Sequence, residues 1–131
     1  LKSTMPSSTV FKVTGYEVIC FESVTQGDAL YSRASDGQVG KAIANDTFDK
    51  ACVAGVAETT KPAGQSLKVI TAGIVATSGL NAGDQYFLSA ASAGAIVETP
   101  PSTAGQYVTR VGEAGSTGQF IINADRPILL S

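Results

Sequence analysis

Apolar residues occur in short runs that Gly, Asn, Asp, Ser or Pro interrupts, and no stretch has a sustained helical period. Thr9–Thr14 alternates between its two sides, whereas Tyr16–Phe21 and Ser66–Thr71 are more continuously apolar. Further strands are predicted over Ala29–Arg33, Gln38–Ile43, Ala51–Glu58, Gly73–Ala76, Gln85–Ser89, Ala95–Glu98, Gln106–Ala114, Gln119–Asn123 and Arg126–Leu130. About ten short strands predict an all-β protein, a short-stranded barrel or sandwich.

The second half of the chain repeats the pattern of the first. The corresponding segments are Val24–Asp28 with Leu80–Asp84, Leu30–Ser32 with Phe87–Ser89, Val53–Glu58 with Val108–Glu113, and Gly64–Gln65 with Gly118–Gln119. Such self-similarity predicts two similar β-hairpin-rich repeats. The predicted organisation is a lead-in and first strand over 1–14, a first repeat over 15–79 and a second over 80–131, all in one compact domain.

Turns and loops are easier to place than functions. Asp36–Gly37 is the strongest hairpin signal, because Gly accepts positive φ and Asp bonds the turn backbone. Asn45–Lys50 and Thr99–Gly105 are predicted as the polar loops of the two repeats, and they differ most between the copies. Pro127–Leu130 is an apolar C-terminal tail, which either pairs within the fold or is covered by a neighbouring subunit.

Composition narrows the possible partners. Only 15% of the 131 residues are charged, against roughly 25% in average domains, so the surface is rich in small neutral residues. The net charge is −2 and the nine Lys and Arg residues are scattered, which argues against nucleic-acid binding. No apolar stretch approaches the roughly 20 residues of a membrane span, so no membrane insertion is expected. From the start at Leu1 rather than Met we expect either a processed product or a segment of a longer chain.

Catalytic and metal-binding motifs are missing from the sequence. The chain has no histidine, which excludes Ser-His-Asp and Cys-His arrangements and most zinc sites. Cys20 and Cys52 are interpreted as two buried thiols rather than a disulfide. Asp46 and Asp49 lack the dense acidic spacing of a calcium loop. The expectation is therefore no enzyme, no catalytic residue, no cofactor and no metal.

The remaining candidate groups each have a structural alternative. Asp28 and Asp84, with Glu58 and Glu113, could form glycosidase carboxylate pairs, but a Gly-Asp before a strand is better explained as a turn capped by its side chain. Arg110 is either a surface strand position or a partner for a carboxylate across a subunit boundary. The four tyrosines could line a glycan groove, but strand positions favour packing; they are Tyr16, Tyr31, Tyr86 and Tyr107.

An ordered series of segments resembles a known class of domain. The series runs through Gly27–Ser32, Asp36–Gly37, Val53–Thr60, Ala63–Gln65, Gly73–Ala76, Ser78–Asp84 and Thr99–Glu113, and ends on Pro127–Ser131. It resembles the small β-domain that recurs in virion proteins of tailed bacteriophages, in tail-fibre C-terminal modules and in capsid cement or decoration proteins. The resemblance covers about residues 15–131.

The resemblance implies a structural protein of the virion, typically a homotrimer. The expected function is a non-enzymatic fibre or capsid-decoration module that oligomerises and packs against other virion proteins. The alternative is a receptor-binding tip domain that recognises a bacterial surface glycan, which the tyrosines and the divergent loops Asn45–Lys50 and Thr99–Gly105 would serve. Both are fold-level analogies.

Overall fold

A computed structural model describes residues 13–131 of the chain. The described residues are 3% helix and 43% strand, with a sheet curled into a half-barrel, so the predicted all-β class is confirmed. The elements are β1 (Thr14–Ile19), β2 (Ala29–Ser32), β3 (Val39–Lys41), α1 (Phe48–Ala51), β4 (Gly55–Ala57), β5 (Ser66–Ala76), β6 (Gln85–Leu88), β7 (Ile96–Val97), β8 (Tyr107–Val108), β9 (Arg110–Ser116), β10 (Gln119–Ile122) and β11 (Ile128–Leu129).

The main sheet is a nine-stranded antiparallel sheet in the order β3-β2-β4-β5-β10-β9-β6-β7, with β1 paired to β5 outside this path. β5 pairs with β1 and β4 over its first part and with β10 from Gly73 onward. A separate two-stranded sheet joins β8 to β11. The half-barrel is thus continuous through its central pair, β5 and β10.

The two halves of the sheet have the same order when each is followed from its outer edge to the centre. One half is β3-β2-β4-β5 and the other is β7-β6-β9-β10. Their turns share backbone bonds: Gly27 N–H donates to Ala57 O at 3.0 Å, and Gly83 N–H donates to Ala114 O at 2.8 Å. A sequence duplication, with the boundaries given above, stays a prediction.

The core consists of two buried clusters. Its largest buried cluster joins both halves, through residues such as Ile70 and Val75 of β5, Tyr86 and Leu88 of β6, and Phe120 of β10. Tyr86 and Phe120 meet edge to face, with ring centroids 6.0 Å apart. A second cluster around Leu30, Leu67 and Val69 lies beneath the first half.

Two glycines allow close strand contacts at places that correspond in the structure, two residues before Ala57 in β4 and two residues before Ala114 in β9, the acceptors of the two turn bonds. A Cβ on Gly55 would overlap the carbonyl oxygen of Ile70, and a Cβ on Gly112 would overlap that of Ile121. Glycine is therefore required at these strand positions by the facing backbone, in the first half and in the second.

The Asp36–Gly37 hairpin is confirmed. β2 and β3 pair antiparallel, and Gly37 has φ 76°. The Arg33 guanidinium donates to the Asp36 carboxylate at 2.6 Å, and this bond lowers the pKa of Asp36. Arg33 also lies over the Phe21 ring, 3.9 Å from its centroid.

Several predicted strand limits are wrong. Gln106–Ala114 is not one strand, because Thr109 turns inward between β8 and β9 and its hydroxyl donates to Ala51 O at 2.8 Å. Within Ala51–Glu58 only Gly55–Ala57 is strand. Ser66–Ala76 is one uninterrupted strand, since the change of partner at Gly73 does not break it. Most of the predicted strand Thr9–Thr14 lies outside the described residues.

The predicted polar loop Asn45–Lys50 contains part of a single helical turn. Thr47 caps α1, and its side-chain oxygen accepts from Lys50 N–H at 3.2 Å. The Lys50 ammonium and the Asp46 carboxylate form an exposed ion pair at 3.0 Å. A four-residue helix has too few apolar positions to show a helical period, so the pattern could not reveal it.

Candidate functional site

The most unusual surface is the two-stranded sheet of β8 and β11, here called the C-terminal ribbon (Tyr107–Val108 with Ile128–Leu129). Ile128 lies opposite Val108, and Leu129 lies opposite Tyr107. Neighbouring residues of a strand point to opposite faces. Because Ile128 is 65% exposed and Leu129 is 59% exposed, neither face of β11 is packed.

The aromatic ring of Phe48 extends one face of the ribbon. Phe48 in α1 is 48% exposed and meets Tyr107 edge to face, with centroids 6.0 Å apart. Tyr107 is the cross-strand neighbour of Leu129. Phe48, Tyr107 and Leu129 therefore form one continuous apolar surface, beside a hollow of about 310 Å³ between Phe48 and Pro127.

The two divergent loops reach this ribbon. Tyr107 N–H donates to Ala44 O at 2.9 Å, directly before Asn45–Lys50. Gly105 N–H, at the end of Thr99–Gly105, donates to Leu130 O at 2.9 Å. The structure thus brings together the two segments that differ most between the predicted repeats.

Of the two alternatives for the apolar tail, the structure shows pairing within the fold. Pro127–Leu130 does pair within the fold, since Leu130 N–H donates to Gln106 O at 2.9 Å and β11 pairs with β8. The side chains of Ile128 and Leu129 nevertheless stay exposed. Pairing satisfies the backbone and leaves the apolar surface uncovered.

Exposed apolar side chains are confined to particular elements. Among residues 13–131, the large exposed ones lie on or beside β1, on α1 and on β11; they are Val13, Tyr16, Ile19, Phe48, Ile128 and Leu129. The eight strands along the path of the main sheet carry none of these six. Surface apolar groups are thus concentrated on the elements added to that sheet.

Of the four candidate catalytic carboxylates, Asp28 caps a turn, Asp84 and Glu113 are exposed, and Glu58 is partly buried. The Asp28 carboxylate accepts from Thr25 N–H at 2.9 Å, which confirms the turn-cap interpretation there. Asp84 N–H donates to Asn81 O at 3.1 Å in the corresponding turn, and the Asp84 side chain is exposed. Glu113 is exposed on β9, opposite Ile121.

Burial raises the pKa of Asp28, and the Thr25 N–H bond and Lys41 oppose this shift. Asp28 lines a polar cleft of about 430 Å³, together with Gln26, Thr77, Ser78 and Tyr86 among others. No Lys or Arg belongs to the described lining of this cleft. The arrangement suits a neutral ligand with hydroxyl donors better than an anion.

The tyrosines do not line a common groove. Tyr31 and Tyr86 are buried in the main core cluster, as their strand positions favoured. Tyr16 is exposed on β1, and Tyr107 is half-buried in the ribbon. The Tyr86 hydroxyl accepts from Asn81 N–H at 2.8 Å, which gives it a structural role.

Both cysteines are free thiols. Cys20 is buried, and its Sγ–H donates to the carbonyl oxygens of Pro62 and Gln65. Cys52 is the C-cap residue of α1 and is only partly buried, so its predicted strand position and its predicted burial are both wrong. Burial raises the pKa of the Cys52 thiol, Asp49 raises it further and Arg126 lowers it.

Arg110 pairs within its own chain. Its Nε donates to the Asp125 carboxylate at 3.0 Å, and Asp125 N–H donates to Arg110 O at 2.8 Å. The alternative of a carboxylate across a subunit boundary is therefore not needed to satisfy this guanidinium.

Sequence reasoning missed Phe48, the aromatic residue at the centre of the exposed surface. Phe48 stands among polar residues, from Asn45 to Lys50, in a segment that the sequence predicts as a polar loop. A large aromatic side chain inside a polar loop is the signal that could have identified it.

Within residues 13–131, no group of three or more His, Cys, Asp or Glu side chains is placed to hold a metal ion. No helix in the same part of the chain has the length and apolar character that spanning a membrane requires. The sequence matches no family model and no curated protein.

Proposed function

We propose that this chain is a non-enzymatic structural module of a virion, of the tail-fibre or capsid-decoration type, which works by associating with its own copies and with other virion proteins. The observation that carries the proposal is the confinement of the six large exposed apolar side chains to β1 with its flank, α1 and β11. Large exposed apolar patches are typical of protein contact sites. The resemblance to tailed-phage β-domains supplies the virion context.

The energetic argument concerns exposed area. Burying a side chain the size of Ile or Leu gives about 1.5–3 kcal/mol relative to leaving it exposed. Ile128, Leu129 and Phe48 are each about half exposed or more, so a partner surface would gain a substantial part of this. The low charge of the chain, 15%, reduces the repulsion and desolvation that oppose such contacts.

Light scattering on the purified chain tests the proposal. The expected result is a stable oligomer, a trimer by the resemblance, that persists at micromolar concentration. A strict monomer at that concentration would overturn the self-association. Immunogold labelling of purified particles would test the virion location, and labelling absent from every particle would overturn it.

The alternative function is a receptor-binding tip that recognises a bacterial surface glycan. The polar cleft beside Asp28 favours it, because carboxylate, amide and hydroxyl groups converge there without a Lys or Arg in the described lining. The test is a glycan array with wild type and Asp28→Asn. Asp84→Asn is the matched control, since Asp84 occupies the corresponding turn but is exposed.

A specific array signal that D28N abolishes and D84N keeps would support the glycan function. An array without any binder would contradict it, and so would a signal that both variants lose equally.

A further inference from the structure

The C-terminal ribbon carries the two most exposed large apolar side chains among the described residues, Ile128 and Leu129. They point to opposite faces of β11, so a single flat contact would cover only one of them. Within the described residues β11 pairs only with β8, so the other edge of β11 is free to pair with a further strand. The ribbon therefore requires a partner that contacts both faces or pairs with its edge.

Opposite charges flank the apolar centre of this surface. Asp49 in α1 and Arg126 next to β11 are both exposed. Both lie close to Cys52, since Cys52 N–H donates to Asp49 O at 3.2 Å and Arg126 lines the same hollow as Cys52. Neither takes part in an ion pair within the described part of the chain, unlike Asp46 and Arg110.

A surface with an apolar centre and one unpaired charge of each sign is complementary to a copy of itself. When two such surfaces meet, Asp49 of one copy can pair with Arg126 of the next while the apolar groups are buried between them. Charge complementarity of this kind sets orientation more than strength. A foreign partner would need to supply the opposite arrangement, whereas a second copy already carries it.

We infer that the ribbon of one copy packs against the ribbon and α1 of a second copy, with Asp49 and Arg126 paired across the contact. The inference rests on the proposed self-association and names the surface that performs it. The second copy contacts both faces of β11: Phe48 and Leu129 lie on one face and Ile128 on the other, and the β1 side chains lie outside the contact.

The first experiment compares two double variants by light scattering over a dilution series. Ile128→Ser with Leu129→Ser should raise the dissociation constant of the oligomer about a hundredfold, since two large apolar contacts are lost. Tyr16→Ser with Ile19→Ser is the matched control, because these side chains are also exposed but lie on β1. The control should associate like the wild type.

The second experiment uses charge reversal and does not depend on the apolar variants folding. Arg126→Glu and Asp49→Arg should each weaken association when studied alone. An equal mixture of the two should regain association at every contact between unlike copies, because Glu at 126 of one copy then meets Arg at 49 of the other; in a ring of three copies this restores two of the three contacts. Thermal unfolding of each variant checks that the fold is intact.

The outcomes separate the two claims. A monomeric wild type overturns the proposed self-association itself. A wild-type oligomer that is equally stable after the ribbon substitutions, or charge variants that do not recover on mixing, overturns this inference and leaves self-association standing.

Discussion

Large apolar side chains are buried on the strands along the main sheet path, but several are exposed on the elements attached to that path. Along the path, large apolar side chains such as Leu30, Val56, Leu88 and Phe120 are completely or almost completely buried. On the attached elements, β1, α1 and β11, similar side chains remain 40% to 65% exposed. In both regions the backbone forms hydrogen bonds, either between antiparallel strands or within the helix. Backbone pairing alone therefore does not explain the difference in side-chain exposure.

This difference in exposure distinguishes the residues that stabilise the fold from those that are available to contact a partner. The halves β3-β2-β4-β5 and β7-β6-β9-β10 share a core that consists mainly of their own side chains, and the attached elements add only a few residues to it, such as Ala51 of α1 and Val18 of β1. The attached elements hold their backbone in place on this sheet and present apolar side chains outward. Substitutions in the sheet should therefore change stability, and substitutions in the attached elements should change association.

The largest expected effect is at the glycines that face a neighbouring backbone. Gly112→Ala and Gly55→Ala would each place a Cβ against a carbonyl oxygen that cannot move without disturbing its own strand. Each should lower the free energy of unfolding by about 3 kcal/mol, measured by urea denaturation.

Gly115→Ala in the same strand as Gly112 is the control, because its nearest neighbour is the Ile121 Cδ1 at 3.3 Å, the end of a flexible side chain. It should change stability by less than about 1 kcal/mol. Equal losses at Gly112 and Gly115 would contradict the close-approach explanation. Similar losses in the free energy of unfolding at Gly55 and Gly112 would show that the two halves are alike in energy as well as in strand order.

A second prediction concerns the junction between the sheet and the attached elements. Thr109→Val removes a fully buried hydroxyl that donates to Ala51 O, at the end of α1. The carbonyl then loses this partner, which should cost about 1–3 kcal/mol in the free energy of unfolding. Thr103→Val, at an exposed turn position, should have little effect. No loss at Thr109 would show that α1 does not depend on this bond.

A smaller effect should distinguish the two corresponding turns. Tyr86→Phe removes the hydroxyl that accepts from Asn81 N–H in the second half, and should cost about 1 kcal/mol. The comparison is Tyr31→Phe, because the Tyr31 hydroxyl makes no hydrogen bond among the described residues. If thermal unfolding showed equal shifts for both variants, the bond to Asn81 would not be the cause.

The smallest effect is a difference in pH dependence. Because burial raises the pKa of Asp28 above its ordinary value, the folded state binds this proton more readily than the unfolded chain. The contribution of Asp28 to the free energy of unfolding therefore increases as the pH falls through the pKa of the folded state. It decreases as the pH rises towards neutral. The Asp28→Asn variant should therefore have a higher free energy of unfolding than the wild type near neutral pH, and this difference should become smaller at acidic pH.

Urea denaturation at a series of pH values measures this difference, and Asp84→Asn is the comparison in the other half. The same change of pH dependence in both variants would mean that the environment of Asp28 is not its cause.

Local signals carried much of the fold. The alternation and the turn residues predicted the all-β class, and Asp36–Gly37 predicted the β2–β3 hairpin. The break at Thr109 was not predictable, because a buried Thr in an apolar run looks like any β-branched strand residue until its partner, Ala51 O, is known. Strand limits depend on such distant partners.

The candidate surface was predictable only in its parts. The sequence predicts that Pro127–Leu130 is an apolar tail and that the two polar loops diverge, but their meeting depends on pairing between β8 and β11. The burial of Tyr31 and Tyr86, against the exposure of Phe48, follows from three-dimensional packing that a single sequence does not encode locally.

β5 makes the two halves mechanically inseparable. Its eleven residues are one strand, and it holds β1 and β4 before Gly73 and β10 after it. Neither half can lose its central strand without exposing the shared core of the other. Heat or force should therefore unfold the described region in one cooperative step, a useful property for a module that must remain intact until the whole unit fails.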